Sequence, residues 1–195
     1  MLYKRLRHQE HLEPIPQPLT PLGMAWAKDF PFEKQTKIFT ERQLFNPEFE
    51  EWLWKHGQLR IADIELFLNP ANHSMPVHID GESICDVCKI NFAYCDSPSF
   101  MKWYKPLVPG TRGNLPYANG KPTNTVDMYW QWDEVEELES EEISIHLVNV
   151  GVPHSVTTTE TERRCLSVNL DRIMPDGTEI TEVPFRMGLE CLSLT

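Results

Sequence analysis

The chain has 195 residues, with 29 acidic against 18 basic side chains and a formal net charge of −11. That length suits one domain with a real core, the charge is too negative for a nucleic-acid binder, and no stretch is apolar enough to cross a membrane. Lys4, Arg5 and Arg7 have no apolar run behind them, so no secretory signal is expected and the cytoplasm is the expected location.

Residues 1–23 carry Pro14, Pro16, Pro18 and Pro21 and are expected to form an extended arm, because proline fixes φ and removes a donor. A helix is expected from Asn46-Pro47-Glu48. Asn46 suits the cap, Pro47 the first turn, and Glu48, Glu50 and Glu51 the positive end of the dipole. Phe49, Leu53 and either Trp52 or Trp54 give it an apolar face, and Gly57 ends it. From there the pattern turns to strands. Residues 61–68 alternate, Asn69-Pro70-Ala71-Asn72 reads as a turn, and 77–80 as a short strand. In 87–94, Ile90, Phe92 and Tyr94 share one face, and Lys89, Asn91 and Ala93 the other. Residues 100–104 form a further strand. The stretch 106–122 holds three glycines and four prolines and reads as a long surface loop. Residues 125–132 are rich in β-branched and aromatic types. The acidic run 133–142 reads as a solvated loop or short helix face. Residues 143–150 and 163–170 alternate again. One helix followed by seven or eight short strands predicts a mainly-β jelly-roll or barrel.

The five cysteines are unevenly spaced, and Cys85-x-x-Cys88 lacks the second ligand pair that a zinc site needs. They read as free thiols, with Cys165 and Cys191 as packing residues.

The chemistry is carried by residues far apart in the chain. In a strand, residues two apart point to the same side, so His78 and Asp80 can converge on one ion, and Gly81 lets the chain turn away. His154 lies far downstream, after Val150-Gly151-Val152-Pro153. Two imidazoles and a carboxylate form the ligand set of non-haem Fe(II) oxygenases, which leaves part of the metal open. Arg163 and Arg164 follow nine and ten positions beyond His154 and offer a fork for a carboxylate. Alternation puts Arg163, Cys165, Ser167 and Asn169 on a polar face, and Arg164, Leu166, Val168 and Leu170 on a greasy one. Arg163 is therefore favoured over Arg164 as the one facing a solvated pocket, with Ser167 beside it. Asn91 and Lys89 share a face. Lys89 is expected to lay its stem on the sheet with the ammonium in solvent. Trp103, Tyr104, Tyr129, Trp130 and Trp132 read as core or sheet-surface residues that could also floor a groove. His73 and His146 read as bystanders, and His8, His11 and His56 have no partner pattern.

The segments Pro76-Val77-His78-Ile79-Asp80-Gly81, Lys89-Ile90-Asn91-Phe92, Trp103-Tyr104, Val152-Pro153-His154-Ser155-Val156 and Arg163-Arg164-Cys165-Leu166-Ser167 resemble the 2-oxoglutarate/Fe(II)-dependent dioxygenases of the double-stranded β-helix, cupin-like superfamily. The aspartyl/asparaginyl β-hydroxylase and prolyl hydroxylase branches are nearest. In the former the carboxylate ligand can be missing, whereas Asp80 is present here. The resemblance covers roughly 58–172. It implies a double-stranded β-helix (jelly-roll) with one or a few supporting helices. The chain then divides into an arm and supporting helix over 1–57, a core over 58–172 and a C-terminal extension over 173–195, all one domain. It also implies Fe(II) on His78, Asp80 and His154. A 2-oxoglutarate carboxylate would be held by Arg163, with Ser167, Asn91, Lys89 and Arg164 as further candidates. The implied activity is hydroxylation of a small molecule or a peptide side chain. The rival is a catalytically silent cupin-like protein that binds a metal or ligand, and a zinc or manganese cupin enzyme ranks after it.

Overall fold

A computed structural model describes residues 2–6, 14–34, 36–80, 83–116 and 122–192. Its strands are β1 Tyr3–Arg5, β2 Thr36–Phe39, β3 Leu59–Asn69, β4 Val77–Ile79, β5 Cys88–Tyr94, β6 Ser99–Pro106, β7 Thr111–Pro116, β8 Pro122–Trp130, β9 Val135–Glu142, β10 Ile145–Asn149, β11 His154–Thr158, β12 Arg163–Ile173 and β13 Glu179–Ile180. Its α-helices are α1 Pro21–Asp29, α2 Pro47–Gly57 and α3 Phe185–Cys191.

The strands form two antiparallel sheets. The larger runs β1-β10-β5-β12-β3-β2, with β13 paired to β12, and the smaller runs β7-β8-β4-β11-β6-β9. From β3 onward the chain crosses repeatedly between them. β3, β5, β10 and β12 lie in the larger sheet, and β4, β6, β9 and β11 in the smaller. This is a mainly-β sandwich of jelly-roll type, and the two inner faces enclose the site.

Alternation along the central strands makes the larger sheet two-sided. Leu166, Val168 and Leu170 of β12, with Ile90 and Phe92 of β5, join a core that includes Phe49, Trp52 and Leu53 of α2 and Phe185 of α3. Cys165 and Ser167 of β12 and Asn91 of β5 face the opposite way and line a cavity. α2 forms as its sequence directs. Asn46 Oδ1 accepts from the Glu48 amide at 3.1 Å, Pro47 opens the first turn, and Gln58 closes the helix in the left-handed region at φ 53°. Trp54 is exposed, so Trp52 is the tryptophan that packs.

Several expectations need correction. The segment 106–122 is not one loop: β7 lies inside it and pairs with β8. Its prolines sit where strands tolerate them, with Pro106, Pro116 and Pro122 at strand ends and β7 at a sheet edge. Residues 117–121 lie outside the described residues, as do Gly81, His8 and His11. Most of the acidic run is neither loop nor helix. Asp133 and Glu134 close a short 3-10 turn, and the rest forms β9, an edge strand on β6, where charge is tolerated because one side meets water. Lys102 Nζ bonds Glu137 across that pair at 2.9 Å. The N-terminal region is also more structured than an arm: β1 pairs with β10, and Pro21 opens α1. α1 and α3 join α2, within the one or a few supporting helices that the resemblance implies. No helix among the described residues is long and apolar enough to cross a membrane.

Phe49 is fully buried, meeting the Phe92 ring edge-on at a centroid distance of 5.5 Å. Phe49→Ala should therefore lower folding stability by about 3–5 kcal/mol, read as a shifted urea midpoint at unchanged m-value. A loss below about 1 kcal/mol would mean that α2 does not brace the sheet.

Candidate metal centre

β4 and β11 are neighbours in the smaller sheet, and their register sets His78 directly opposite His154. The ring centroids are 4.5 Å apart. Asp80 lies just past β4, where its amide donates to the Val150 carbonyl at 3.0 Å. The turn before His154 fixes the segment around Cys85 and Asp86. The Cys85 amide donates to the Gly151 carbonyl at 2.8 Å, and Asn149 Nδ2 to Asp86 Oδ1 at 3.0 Å. A Cβ on Gly151 would stand 2.5 Å from the Cys85 carbonyl oxygen, so only glycine allows this approach.

Both imidazoles are oriented in the same way. Nδ1 of His78 lies 2.9 Å from the Pro76 carbonyl, and Nδ1 of His154 lies 2.9 Å from the Val152 carbonyl. A carbonyl only accepts, so in the neutral rings each Nδ1 carries the hydrogen and each Nε2 presents a lone pair. These Nε2 atoms lie 3.6 Å and 3.7 Å from Asp80 Oδ1. Such separations are too long for hydrogen bonds. Three lone-pair donors, all within 4.8 Å of one another, thus converge with no hydrogen among them. A cation satisfies that arrangement, and a donor set of two nitrogens and one oxygen suits a divalent transition metal.

The electrostatics agree. Burial pushes the His154 imidazole down to about 4, helped by the neighbouring His78, so the ring stays neutral and able to ligate. For Asp80, burial acts upward but is outweighed chiefly by the Lys89 ammonium, which holds the carboxyl well below the usual range.

Lys89 does not place its ammonium in solvent. Nζ is buried, 2.8 Å from Asp80 Oδ2 and 2.7 Å from Glu65 Oε2. Two carboxylates outweigh the cost of burying it and hold its pKa above the ordinary lysine value, against the downward pull of desolvation. Glu65 was not anticipated as part of the site. Period two sets it on one face of β3 with Phe67 and Asn69, but its partner lies two strands away in the sheet.

One cavity joins the cluster to the larger sheet. Its lining includes His78, Asp80 and His154 together with Asn69, Asn91, Arg163 and Ser167. Arg163 is 2% exposed. Its Nη1 donates to Asn69 Oδ1 at 2.9 Å, and its Nε has no hydrogen-bond partner among the described residues. Ser167 Oγ donates to Asn91 Oδ1 at 2.6 Å. The serine hydrogen is therefore committed, and the Asn91 amide nitrogen is the donor that remains to this pair. Arg164 goes the other way. Its Nη1 donates to the Ala27 and Phe30 carbonyls at 2.9 and 3.1 Å, and its guanidinium lies 4.5 Å over the Phe32 ring. It anchors the segment after α1 and does not reach the cavity.

The other histidines and aromatics stand apart. His146 is fully buried, with Nδ1 accepting from the Ser144 amide at 3.1 Å. His73 is not in the cluster, and His56 lies tilted against Trp52. None of Trp103, Tyr104, Tyr129, Trp130 and Trp132 is in the cavity lining. Trp103 Nε1 donates to the Asn149 carbonyl at 2.9 Å, beside the Gly151 turn. All five cysteines are free thiols.

No family model and no curated protein sequence matches this chain. Among solved structures, the crystal structure of EvdMO1 is similar over 70% of this chain, at 13% identity and a TM-score of 0.38. The match takes in 35% of EvdMO1, so the matched part of this chain spans about a third of the length of that protein.

The neutral His154 gives the metal-free protein a defined pH response. Unfolded, the ring takes a proton near 6.5; folded, it resists until about 4. Between those values the unfolded chain binds more protons, so stability falls as pH is lowered through this window, by about 3 kcal/mol in all. Asp80, held low, adds a further loss only below its unfolded value near 3.8. Urea melts in chelator from pH 7 to pH 4 should show the decline, and His154→Asn should flatten it. Equal slopes in both proteins would mean that His154 is not buried neutral.

Proposed function

We propose that this protein is an Fe(II)- and 2-oxoglutarate-dependent oxygenase that hydroxylates a small molecule or a peptide side chain. The observation that carries the reading is one cavity lined both by the His78–Asp80–His154 cluster and by a buried arginine with an unused donor. A metal site alone needs no such arginine, whereas an organic acid chelating the metal does.

Charge balance supports the same reading. The charged groups in and beside the cavity are the half-buried Asp80 and Glu65 against the buried Lys89 and Arg163, which sum to zero. A divalent ion brings two positive charges into that neutral setting, and a dicarboxylate returns it to neutrality. Buried net charge is costly, so a doubly negative cosubstrate suits this site better than a neutral one.

Bound there with 2-oxoglutarate, Fe(II) supplies the oxidising chemistry: one oxygen atom of O₂ enters succinate as CO₂ leaves, and the other enters a substrate C–H bond. The chain's own residues do the rest. The Pro76 and Val152 carbonyls hold both imidazoles with Nε2 inward. Arg163 offers a bidentate, permanently charged partner to the far carboxylate, with Asn69 bracing the guanidinium. Asn91 supplies an amide donor beside it, positioned by Ser167. Met75, Met101, Val150 and Val156 give the cavity an apolar lining that excludes water.

Anaerobic addition of Fe(II) and 2-oxoglutarate should produce a weak visible charge-transfer band, and admission of air should release succinate. Arg163→Met should weaken 2-oxoglutarate binding about a hundredfold while sparing metal binding. His154→Ala should abolish metal binding with the fold retained. Metal binding with neither band nor succinate would instead identify a silent binding protein.

A further inference from the structure

We propose that Lys89 is a positioning residue that restricts Asp80 to a single metal-binding oxygen. The inference rests on the metal centre proposed above and concerns its geometry. The two oxygens of Asp80 have different surroundings. Oδ1 faces Nε2 of His78 and of His154, at 3.6 and 3.7 Å. Oδ2 lies 2.8 Å from Lys89 Nζ. One oxygen is therefore open to an ion, and the other is committed to an ammonium.

That commitment is strong. Lys89 is 8% exposed and its charge is held by two buried or half-buried carboxylates, so releasing Asp80 would leave charge unpaired in a poorly solvated place. Charge-assisted hydrogen bonds of this kind are about twice as strong as neutral ones. Glu65 keeps the ammonium in place from the other side. It reaches from β3 across β12 to Lys89 on β5, so the pair is fixed by strands in one sheet.

The consequence is a vacant coordination position. An untethered carboxylate can chelate a divalent ion through both oxygens. The second oxygen would take the place still free after an organic acid has chelated through two atoms, which is the place dioxygen needs. By holding Oδ2, Lys89 keeps that position open. The larger sheet thus sets the denticity of a ligand presented by the smaller one.

Mn(II) alone serves as the probe, with water-proton relaxation counting the waters on the bound ion. Lys89→Met/Glu65→Gln removes the ion pair without changing the net charge. It should hold about one fewer metal-bound water than the native protein and bind Mn(II) about tenfold more tightly, because a second oxygen is available while the paired charges leave together. Lys89→Met alone is the second variant, should the first fail to fold, and should lose the same water. An unchanged water count with only a lowered melting temperature would overturn the proposal and leave Lys89 as a structural ion pair. If native protein binds no Mn(II), or binds it undiminished after His154→Ala, the metal reading itself fails and this inference goes with it.

Discussion

The pairing of β4 with β11 puts His78 across from His154, and every other feature of the site depends on that register. Side chains alternate along a strand with a period of two, so a slip of one residue would send an imidazole to the outer face. The outer face is already occupied: Val77 and Ile79, which flank His78, pack with Tyr104 and Trp130 in a separate apolar cluster. A slip would expose those residues and bury a histidine among hydrocarbon, and both changes oppose it. The hydrogen bonds to the Pro76 and Val152 carbonyls then fix the rings within that register. The Gly151 turn closes the arrangement by pinning Cys85 against it.

The two sheets contribute different chemistry to one cavity. His78 and His154 come from the smaller sheet, with Asp80 at its margin. Asn91, Arg163 and Ser167 come from the larger, and Lys89 of the same sheet reaches Asp80 from beside the cavity. Buried cations cost desolvation energy unless their partners are held to a fraction of an ångström. The larger sheet can supply that precision because α2 and α3 fill its outer face with Phe49, Trp52, Leu53 and Phe185. Packing on one side of β5 and β12 is therefore a condition for placing charge on the other.

What could be read in the sequence follows from which periodicities are local. Alternation along 163–170 separates Arg163 from Arg164, and the two guanidiniums do lie on opposite sides of β12, one in the cavity and one on the Ala27 and Phe30 carbonyls. The same argument separates Asn91 from Phe92. Lys89 was misread because its partners are not local. Glu65 is 24 positions earlier, and nothing in either segment shows that β12 lies between them. β7 and β9 were misread for a different reason. Glycine, proline and clustered acid are loop signals in the middle of a sheet but permissible at its edge, and position within a sheet is decided by strands elsewhere in the chain.

The burial of Lys89 also bears on the protonation states of the cluster. Asp80 sits near two imidazoles whose lone pairs point toward it, an arrangement that would tend to draw in protons. Desolvation alone would raise the carboxyl and favour the neutral acid. The ammonium reverses that preference and keeps Asp80 ionised, while burial keeps His154 uncharged. The result is a set of ligands already in the protonation states that a metal requires, so binding need not displace a proton from Asp80 or His154. Glu65 is what makes this sustainable, since a lone ammonium so close to the ion would repel it. The ion pair two strands wide is thus as much a part of the centre as the side chains that would touch the metal.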